Sequence, residues 1–261
     1  MSSGSAARGG PQQIPRPQGA MPGRPAPWAD REHLVQGVDA DRVREVFGGR
    51  VGSASPVRER GGSPSAVLVA LTVEPEPADG LSVLLTRRAW TMRTHRGEVS
   101  FPGGRSDDGE HPHDTARREA WEEVGLAPAA VEVVGEMDHL TTVTRRAYIV
   151  PVVALLGSRP ELVAHVREVD AILEVPLAEL VRPGTFREER WGVGPDARPV
   201  YFFDLVGDTV WGATAAMLRD LLVRLLRFDP GPETDYDAAR GLSATWAKAW
   251  DPPPWIGDDV V

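Results

Sequence analysis

Residues 117–126 read RREAWEEVGL, which places Glu119, Glu122 and Glu123 within five positions and a glycine, Gly125, shortly after them. As a helix, this stretch carries its three carboxylates at i, i+3 and i+4, on one face. Ala116, Ala120 and Val124 recur every fourth residue on the adjoining arc and form a stripe that a core would cover. The ends agree with a helix. Pro112 suits the first turn, where its missing N–H is no loss, and Asp114 complements the positive end of the dipole. Gly125 stands where a left-handed C-cap is expected. Like charges at these spacings repel by roughly 0.2–0.5 kcal/mol per pair, and Arg118, four residues before Glu122, relieves only part of that. A solvated face is the ordinary explanation of such a run; a bound cation is the other.

The residues upstream favour the cation. FPGGRSDDGEH (101–111) is a tight glycine turn and an acidic loop that feed directly into the helix. A carbonyl of such a turn can join the carboxylates as an oxygen ligand. Mg²⁺-like ions want an all-oxygen set at about 2.1 Å and keep several waters. The chain has no cysteine, and its histidines are not at ligand spacing on this helix, so zinc fits less well.

Further out, SAVLVALTV (65–73) and LSVLLTRRA (81–89) are apolar, β-branched runs expected to pair as an antiparallel hairpin. GEVSFPGG (97–104) predicts a short strand ending in a glycine turn. VEVVGEMDHL (131–140), AYIVPVVALL (147–156) and PVYFFDLV (199–206) predict strands, and AILEVPLAEL (171–180) a strand running into a short helix after Pro176. In ATAAMLRDLLVRLLRF (213–228), Leu218, Leu221, Leu222 and Leu225 predict an amphipathic helix closing the core. Strands, a long helix, further strands and a closing helix imply an α+β fold.

Four segments are expected. Residues 1–30 form a Pro/Gly-rich tail, which cannot bury enough apolar surface to offset its ordering entropy and is expected to be disordered. Residues 31–60 hold a short helical segment and linker, 61–228 the compact domain, and 229–261 an acidic tail with prolines and three of the eight tryptophans. The net charge of −9 argues against general nucleic-acid binding but leaves room for a local basic pocket. Absence of cysteine agrees with a cytoplasmic location, and no apolar run reaches the roughly 18 residues of a membrane span.

Gly104, Glu110, Arg118-Glu119-Ala120, Glu122-Glu123 and Gly125-Leu126 stand at the spacing of the Nudix box, which the stretch resembles in full; Ala120 is a small occupant of a position usually filled by a larger aliphatic. The resemblance implies a Nudix-type α/β/α sandwich with a mixed central sheet, and hydrolysis of a nucleoside diphosphate derivative with Mg²⁺ or Mn²⁺. It implies Glu119, Glu122 and Glu123 as metal ligands with the Gly104 carbonyl, Arg118 as the group orienting them, and Glu110 as a brace of the loop-to-helix geometry. It implies a further carboxylate from a later loop as ligand or base. Glu168 is the choice, with Glu161 and Glu174 as competitors, so that Glu122, Glu123 and Glu168 are the catalytic candidates.

Residues 84–104, LLTRRAWTMRTHRGEVSFPGG, resemble a second signature, that of the coenzyme A pyrophosphatase branch: Leu84-Leu85-Thr86, Arg88, Ala89, Arg93, Gly97 and Phe101-Pro102-Gly103-Gly104. That likeness implies cleavage of coenzyme A or acyl-CoA into 3′,5′-ADP and a 4′-phosphopantetheine. Arg88, Arg93, His95 and Phe101 are the substrate-binding candidates, with Arg96 in the same cluster. Two other readings stand beside it: the same chemistry on ADP-ribose or a dinucleotide, and a noncatalytic nucleotide-binding module. The last has no physical need for three repelling glutamates. A small-molecule substrate is expected, with no nucleic-acid or membrane partner; a homodimer is left open.

Overall fold

A computed structural model describes residues 7–54, 63–73, 80–142, 147–157, 160–192 and 197–228. The chain opens with β1 (Met21–Pro22), a 3₁₀ turn at Glu32–Gly37 and α1 (Ala40–Phe47). Then come β2 (Ser63–Val73), β3 (Leu81–Arg88), β4 (Val99–Ser100), β5 (Gly103–Arg105) and the glutamate helix α2 (Pro112–Val124). There follow β6 (Val131–Glu136), β7 (Leu140–Thr141), β8 (Ala147–Leu156), β9 (Val169–Pro176) and α3 (Leu177–Val181). The last elements are β10 (Phe186–Trp191), β11 (Arg198–Asp204), β12 (Thr209–Trp211) and α4 (Gly212–Leu225).

The central strands are β2 and β8, paired in parallel from Ser63↔Ala147 to Thr72↔Leu156. Parallel strands need a long crossover and bury both faces, which is why both read as near-continuous apolar runs. The larger sheet runs β4-β3-β2-β8-β6, with β5 also on β2, β7 on β8 and β9 on β3; apart from β2–β8 its pairings are antiparallel. One face takes the Ala116–Ala120–Val124 stripe of α2 against Ala66, Leu68, Ala70, Leu84, Val150 and Val152. The other presents Val69, Leu71, Val83, Leu85 and Val153 to a larger core shared with α4 and the second sheet. This is the mixed-sheet α/β/α sandwich expected. The expected hairpin exists, but β2 and β3 pair only over Leu71–Val73 and Leu81–Val83; the main partner of β3 is β9.

The structure adds a second, antiparallel sheet of order β1-β10-β11-β12. Its strand β10, FREERW, has no apolar alternation to announce it and becomes a strand by pairing with β11, Phe186↔Phe203 to Trp191↔Arg198. The two glycines expected to form a turn instead belong to β5, where Gly103 and Gly104 pair with Val67 and Ala66.

Two expectations are corrected. Residues 7–30 are not disordered: β1 adds to β10, and Trp28, 1% exposed, packs edge-on to Phe186 at 5.2 Å and stacks with Phe203 at 6.2 Å. A single large aromatic and a row of backbone hydrogen bonds supply the burial that composition alone did not promise. Residues 31–54 are likewise folded, with Val43 and Phe47 of α1 fully buried, whereas residues 55–62 of the expected linker lie outside the described residues. The second correction is α4, which is covered nearly all round: even Arg219 and Asp220 are buried, because α1, β11 and β12 all pack against it. The tail 229–261 lies outside the described residues. No helix among those described is long and apolar enough to cross a membrane.

Candidate active site

Helix α2 begins at Pro112, with the His111 side chain accepting from the His113 N–H, and ends at Gly125 in the left-handed conformation, φ 69°. Its N-terminal side is tied to β5 by a clasp. Arg118 donates through Nε and Nη2 to the two Glu110 oxygens, each at 3.0 Å, and through Nη2 to the Arg105 carbonyl at 3.0 Å. Glu110 also accepts from Thr115 Oγ1 at 2.8 Å and from the Asp107 N–H at 3.0 Å. The guanidinium and these donors hold the Glu110 carboxyl down at about 2. Glu110 thus ties the acidic loop at Asp107 to Thr115 and Arg118 of the helix.

The clasp also reaches the carboxylates. Arg118 Nη1 lies 2.8 Å from Glu119 Oε1 and 3.4 Å from Glu122 Oε2. Glu119 is aimed at Gly104, where a Cβ would fall 2.5 Å from the Glu119 carboxyl carbon. Only glycine lets that carboxylate lie against the β5 backbone. Gly103 is constrained from the other side, since a Cβ there would meet the Ala66 carbonyl oxygen at 2.4 Å.

Glu123 sits deepest. It is 5% exposed and accepts a hydrogen bond from the Gly103 N–H at 3.3 Å. Burial pushes its carboxyl up to about 7; the nearby Arg88 and the Gly103 N–H oppose the rise, and the Glu119 and Glu168 charges add to it. Burial also raises Glu119, against the pull of Arg118 and with Glu122 and Glu168 adding to the rise. Two carboxylates are thus held close together at the end of a sheet with too little positive charge to neutralise them.

Glu168 joins them through the C-terminus of α2. The carbonyls of Glu123 and Val124, which a helix end leaves without intrahelical partners, accept from the His165 N–H at 2.8 Å and the Val163 N–H at 2.9 Å. The following turn is closed by Glu168 N–H to His165 O, and Ala89 N–H donates to Glu168 O at 2.8 Å. A register shift in the β3–β9 pairing, at Arg87/Arg88, sets Arg88 opposite Val169. Such bulges re-aim side chains beside sites. Arg88 lies near enough to Glu123 to act on its charge, and its Nε is buried without a hydrogen-bond partner among the described residues.

The NUDIX domain family model matches residues 62–196, just over half of the chain and the span that holds α2, β5 and the late loop. The chain belongs to the Nudix hydrolase family. It is 36% identical over 199 residues to Nudix hydrolase 22, chloroplastic, of Arabidopsis thaliana, covering 72% of this chain and 64% of that protein, so it spans just under two thirds of the plant relative. It is 37% identical over 164 residues to the Nudix hydrolase NudL of Cronobacter sakazakii, covering 62% of this chain and 82% of that protein. A MutT/nudix family protein from Enterococcus faecalis aligns with 20% identity and a TM-score of 0.44 over 67% of this chain and 66% of its own.

The Nudix residues divide into three groups in space. Gly104, Glu119, Glu123, Glu110 and Arg118 come together around the β5–α2 junction, with Arg88 and Glu168 bordering them. Glu122 lies at the rim, its side chain 55% exposed. Among the described residues no three His, Asp or Glu side chains are drawn close enough together to hold an ion as they stand. The donor chemistry nevertheless fits a hard divalent cation. Every available ligand is oxygen, and the most buried carboxylate has no ion-pair partner among the described residues.

Two substrate candidates stand apart. Phe101 is 1% exposed and belongs to the larger core, on the far side of the sheet from α2, so it has no surface left for a ligand; its substrate-binding assignment is corrected. His95, in the left-handed region at φ 55°, turns its Nδ1 to Glu98 Oε2 at 2.8 Å and serves the shape of the 88–98 loop. Arg93 and Arg96 are exposed on that loop, Arg96 donating to the Met92 carbonyl at 2.7 Å. Glu161, a competitor of Glu168, is exposed at the start of the late loop. Glu174 lies within β9 opposite Leu84, four residues along β3 from Arg88.

Arg87 holds a place beside the site that no motif in the sequence marks. Its guanidinium donates to Asp170 Oδ2 at 2.8 Å and to Asp208 Oδ2 at 2.9 Å, linking β3, β9 and the β11–β12 turn. No local pattern announces partners 83 and 121 residues away.

Proposed function

We propose that the protein hydrolyses the pyrophosphate linkage of coenzyme A or an acyl-CoA, giving 3′,5′-ADP and the corresponding 4′-phosphopantetheine, with Mg²⁺ or Mn²⁺. In this reaction a water oxygen bonds to one phosphorus while the bridging P–O bond breaks, and the bridging oxygen leaves with the other phosphate. Glu119, Glu122, Glu123 and the Gly104 carbonyl would hold the metal, which when bound lowers the pKa of water and offsets charge on the phosphoryl oxygens. Glu168 is assigned the role of base. Its place beside Glu119 and Glu123 favours it over the exposed Glu161. Arg118 holds Glu119 in place, and Arg88 carries a buried donor toward the anionic group.

The observation that carries the hydrolytic reading is Glu123: a buried, poorly compensated carboxylate beside Glu119 at the end of the Nudix helix. The coenzyme A reading rests on the signature at 84–104 and on Arg88, Arg93 and Arg96, which ring the 88–98 loop and suit a substrate with three phosphates. The test incubates the protein with coenzyme A, acetyl-CoA, ADP-ribose and a dinucleoside polyphosphate, with Mg²⁺ or Mn²⁺, and identifies products by mass. Phosphopantetheine formed with the highest kcat/KM of the panel supports the assignment. Turnover of ADP-ribose but not coenzyme A would overturn the substrate and keep the chemistry; no turnover with either metal would overturn both.

A further inference from the structure

The N-terminal segment lies across the second sheet as a strap, held at both ends. Arg8 Nη1 reaches Thr185 Oγ1 at 2.6 Å and Glu179 Oε1 at 2.8 Å, while Arg16 Nε pairs with Glu189 Oε2 at 2.8 Å. Between these anchors the Gly9 N–H donates to the Leu205 carbonyl and the Gly10 N–H to Thr209 Oγ1. Gly10 permits the approach, since a Cβ there would lie 2.5 Å from the Asp208 Cα.

At the middle of the strap Gln12 is buried, 7% exposed, and its side chain reaches from the β11–β12 turn to the 88–98 loop. Its Oε1 accepts from the Thr209 N–H at 2.8 Å, which fixes the orientation of the amide. Its Nε2 then donates to Asp208 Oδ1 at 2.7 Å and to the Gly97 carbonyl at 3.0 Å. Gly97 is the neck of the arginine-bearing loop: its N–H donates to the Arg88 carbonyl at 3.2 Å, and the Arg88 N–H donates to Glu98 O at 2.9 Å. On its other side the Trp90 ring packs so closely that a Cβ on Gly97 would lie 2.2 Å from it. Asp208, the second acceptor of Gln12, also holds Arg87, the neighbour of Arg88.

We infer that Gln12 is a positioning residue for substrate binding, through which the N-terminal strap fixes the neck of the 88–98 loop and the direction of Arg88. Nothing in this role touches the reacting atoms. It acts through Gly97 on one side and through Asp208 and Arg87 on the other. The strap thereby becomes part of the working enzyme rather than an appendage, and the inference rests on the pyrophosphatase reading for its kinetic consequence.

The experiment compares the full-length protein with Gln12→Met, which fills the same volume without the hydrogen bonds, and with Arg44→Ala, which removes an exposed ion pair to Glu132 that takes no part in the strap. Gln12→Asn, whose amide falls one methylene short, is a milder second variant should Gln12→Met fold poorly. With coenzyme A and Mg²⁺, Gln12→Met is expected to raise KM about tenfold with kcat changed less than about threefold, as loss of a hydrogen bond that orders the binding loop would do. Arg44→Ala is expected to leave KM unchanged. Independently of turnover, amides of residues 90–97 should exchange faster by about tenfold in both Gln12 variants and not in Arg44→Ala. Unchanged KM and unchanged loop exchange in the Gln12 variants overturn the inference. So does an equal change in Arg44→Ala, which would make the effect a general loosening of the fold. Faster loop exchange in a protein that turns over no coenzyme A would uphold the strap's role and reject the substrate.

Discussion

Glu123→Gln separates what the site costs the fold from what it gives the reaction. In the metal-free protein the Glu123 carboxyl titrates near 7 rather than the ordinary 4.5, because burial disfavours the anion more than Arg88 and the Gly103 N–H favour it. At 1.36 kcal/mol for each unit of pKa, the difference corresponds to about 3 kcal/mol. The sign follows from linkage. With a folded pKa above the unfolded one, the folded state is the tighter proton binder. The stability it contributes is fully present below about 4.5, falls between there and about 7, and is gone above that. Glutamine keeps the shape and cannot ionise, so the variant escapes this loss.

The assay is urea denaturation of wild type and variant in EDTA, from pH 5 to pH 8.5. The variant should gain on wild type as pH rises, from about 1 kcal/mol at pH 5 to about 3 kcal/mol at pH 8, the latter roughly 6–12 °C in Tm for a domain of this size. Activity should fall by about 10²-fold or more over the same range, and added Mg²⁺ should stabilise wild type more than the variant. A constant difference between the two proteins from pH 5 to pH 8.5 would refute the reasoning, since it would mean that Glu123 carries the same charge in the folded and unfolded chains throughout.

Gly104→Ala should leave Tm within about 2 °C of wild type, because the added Cβ meets the movable end of Glu119, yet cut kcat by about 10²-fold by displacing that carboxylate; thermal melts beside single-turnover kinetics would show both. Glu168→Gln should lower kcat by about 10²–10⁴-fold while Glu161→Gln stays within about twofold, measured as a pair on the same substrate; the reverse order would move the base to Glu161. Trp28→Ala should cost about 3–5 kcal/mol in denaturant unfolding, as expected of a 1%-exposed core aromatic, and a loss under 1 kcal/mol would mean that the N-terminal segment is not part of the core.

The sheet-and-helix framework was legible wherever burial is periodic and local. The runs of β2, β3 and β8 are apolar because both sides of the sheet are covered, and α2 carries its stripe, its N-terminal proline and its C-terminal glycine between Pro112 and Gly125. The spacing of Gly104, Glu110, Arg118, Glu119 and Glu123 was legible for the same reason, since a loop and the helix it enters are one local unit. What escaped was long-range. β10 owes its strand conformation to β11, and residues 7–30 owe theirs to β10, Thr209 and the cavity that Trp28 fills. Composition measures what a segment can bury by itself, not what a waiting surface can bury with it. Phe101 shows the opposite error: its neighbours belong to the site, but in the link between β4 and β5 its ring turns into the core on the other face, with Val99.

The glutamates of this one region answer to different demands. Glu110 is surrounded by donors, ionised down to about 2, and gains from folding at neutral pH. Glu123, on α2, is buried with only part of its charge offset by Arg88 and loses by folding once ionised. Arg118 belongs to the first and only touches the edge of the second, bonding Glu110 and Glu119 while leaving Glu123 alone. A site designed for stability alone would have shared that guanidinium with the deepest carboxylate. Pushing the pKa values of two like residues apart is how one small region supplies both a rigid brace and an unsatisfied anion. The unsatisfied anion is what a divalent metal and a pyrophosphate can turn into binding and catalysis. The like charges in residues 117–126 therefore act as a reservoir of repulsion that the fold tolerates because the clasp, the Ala116–Ala120–Val124 stripe and the caps of α2 hold the helix in place while relieving it only in part.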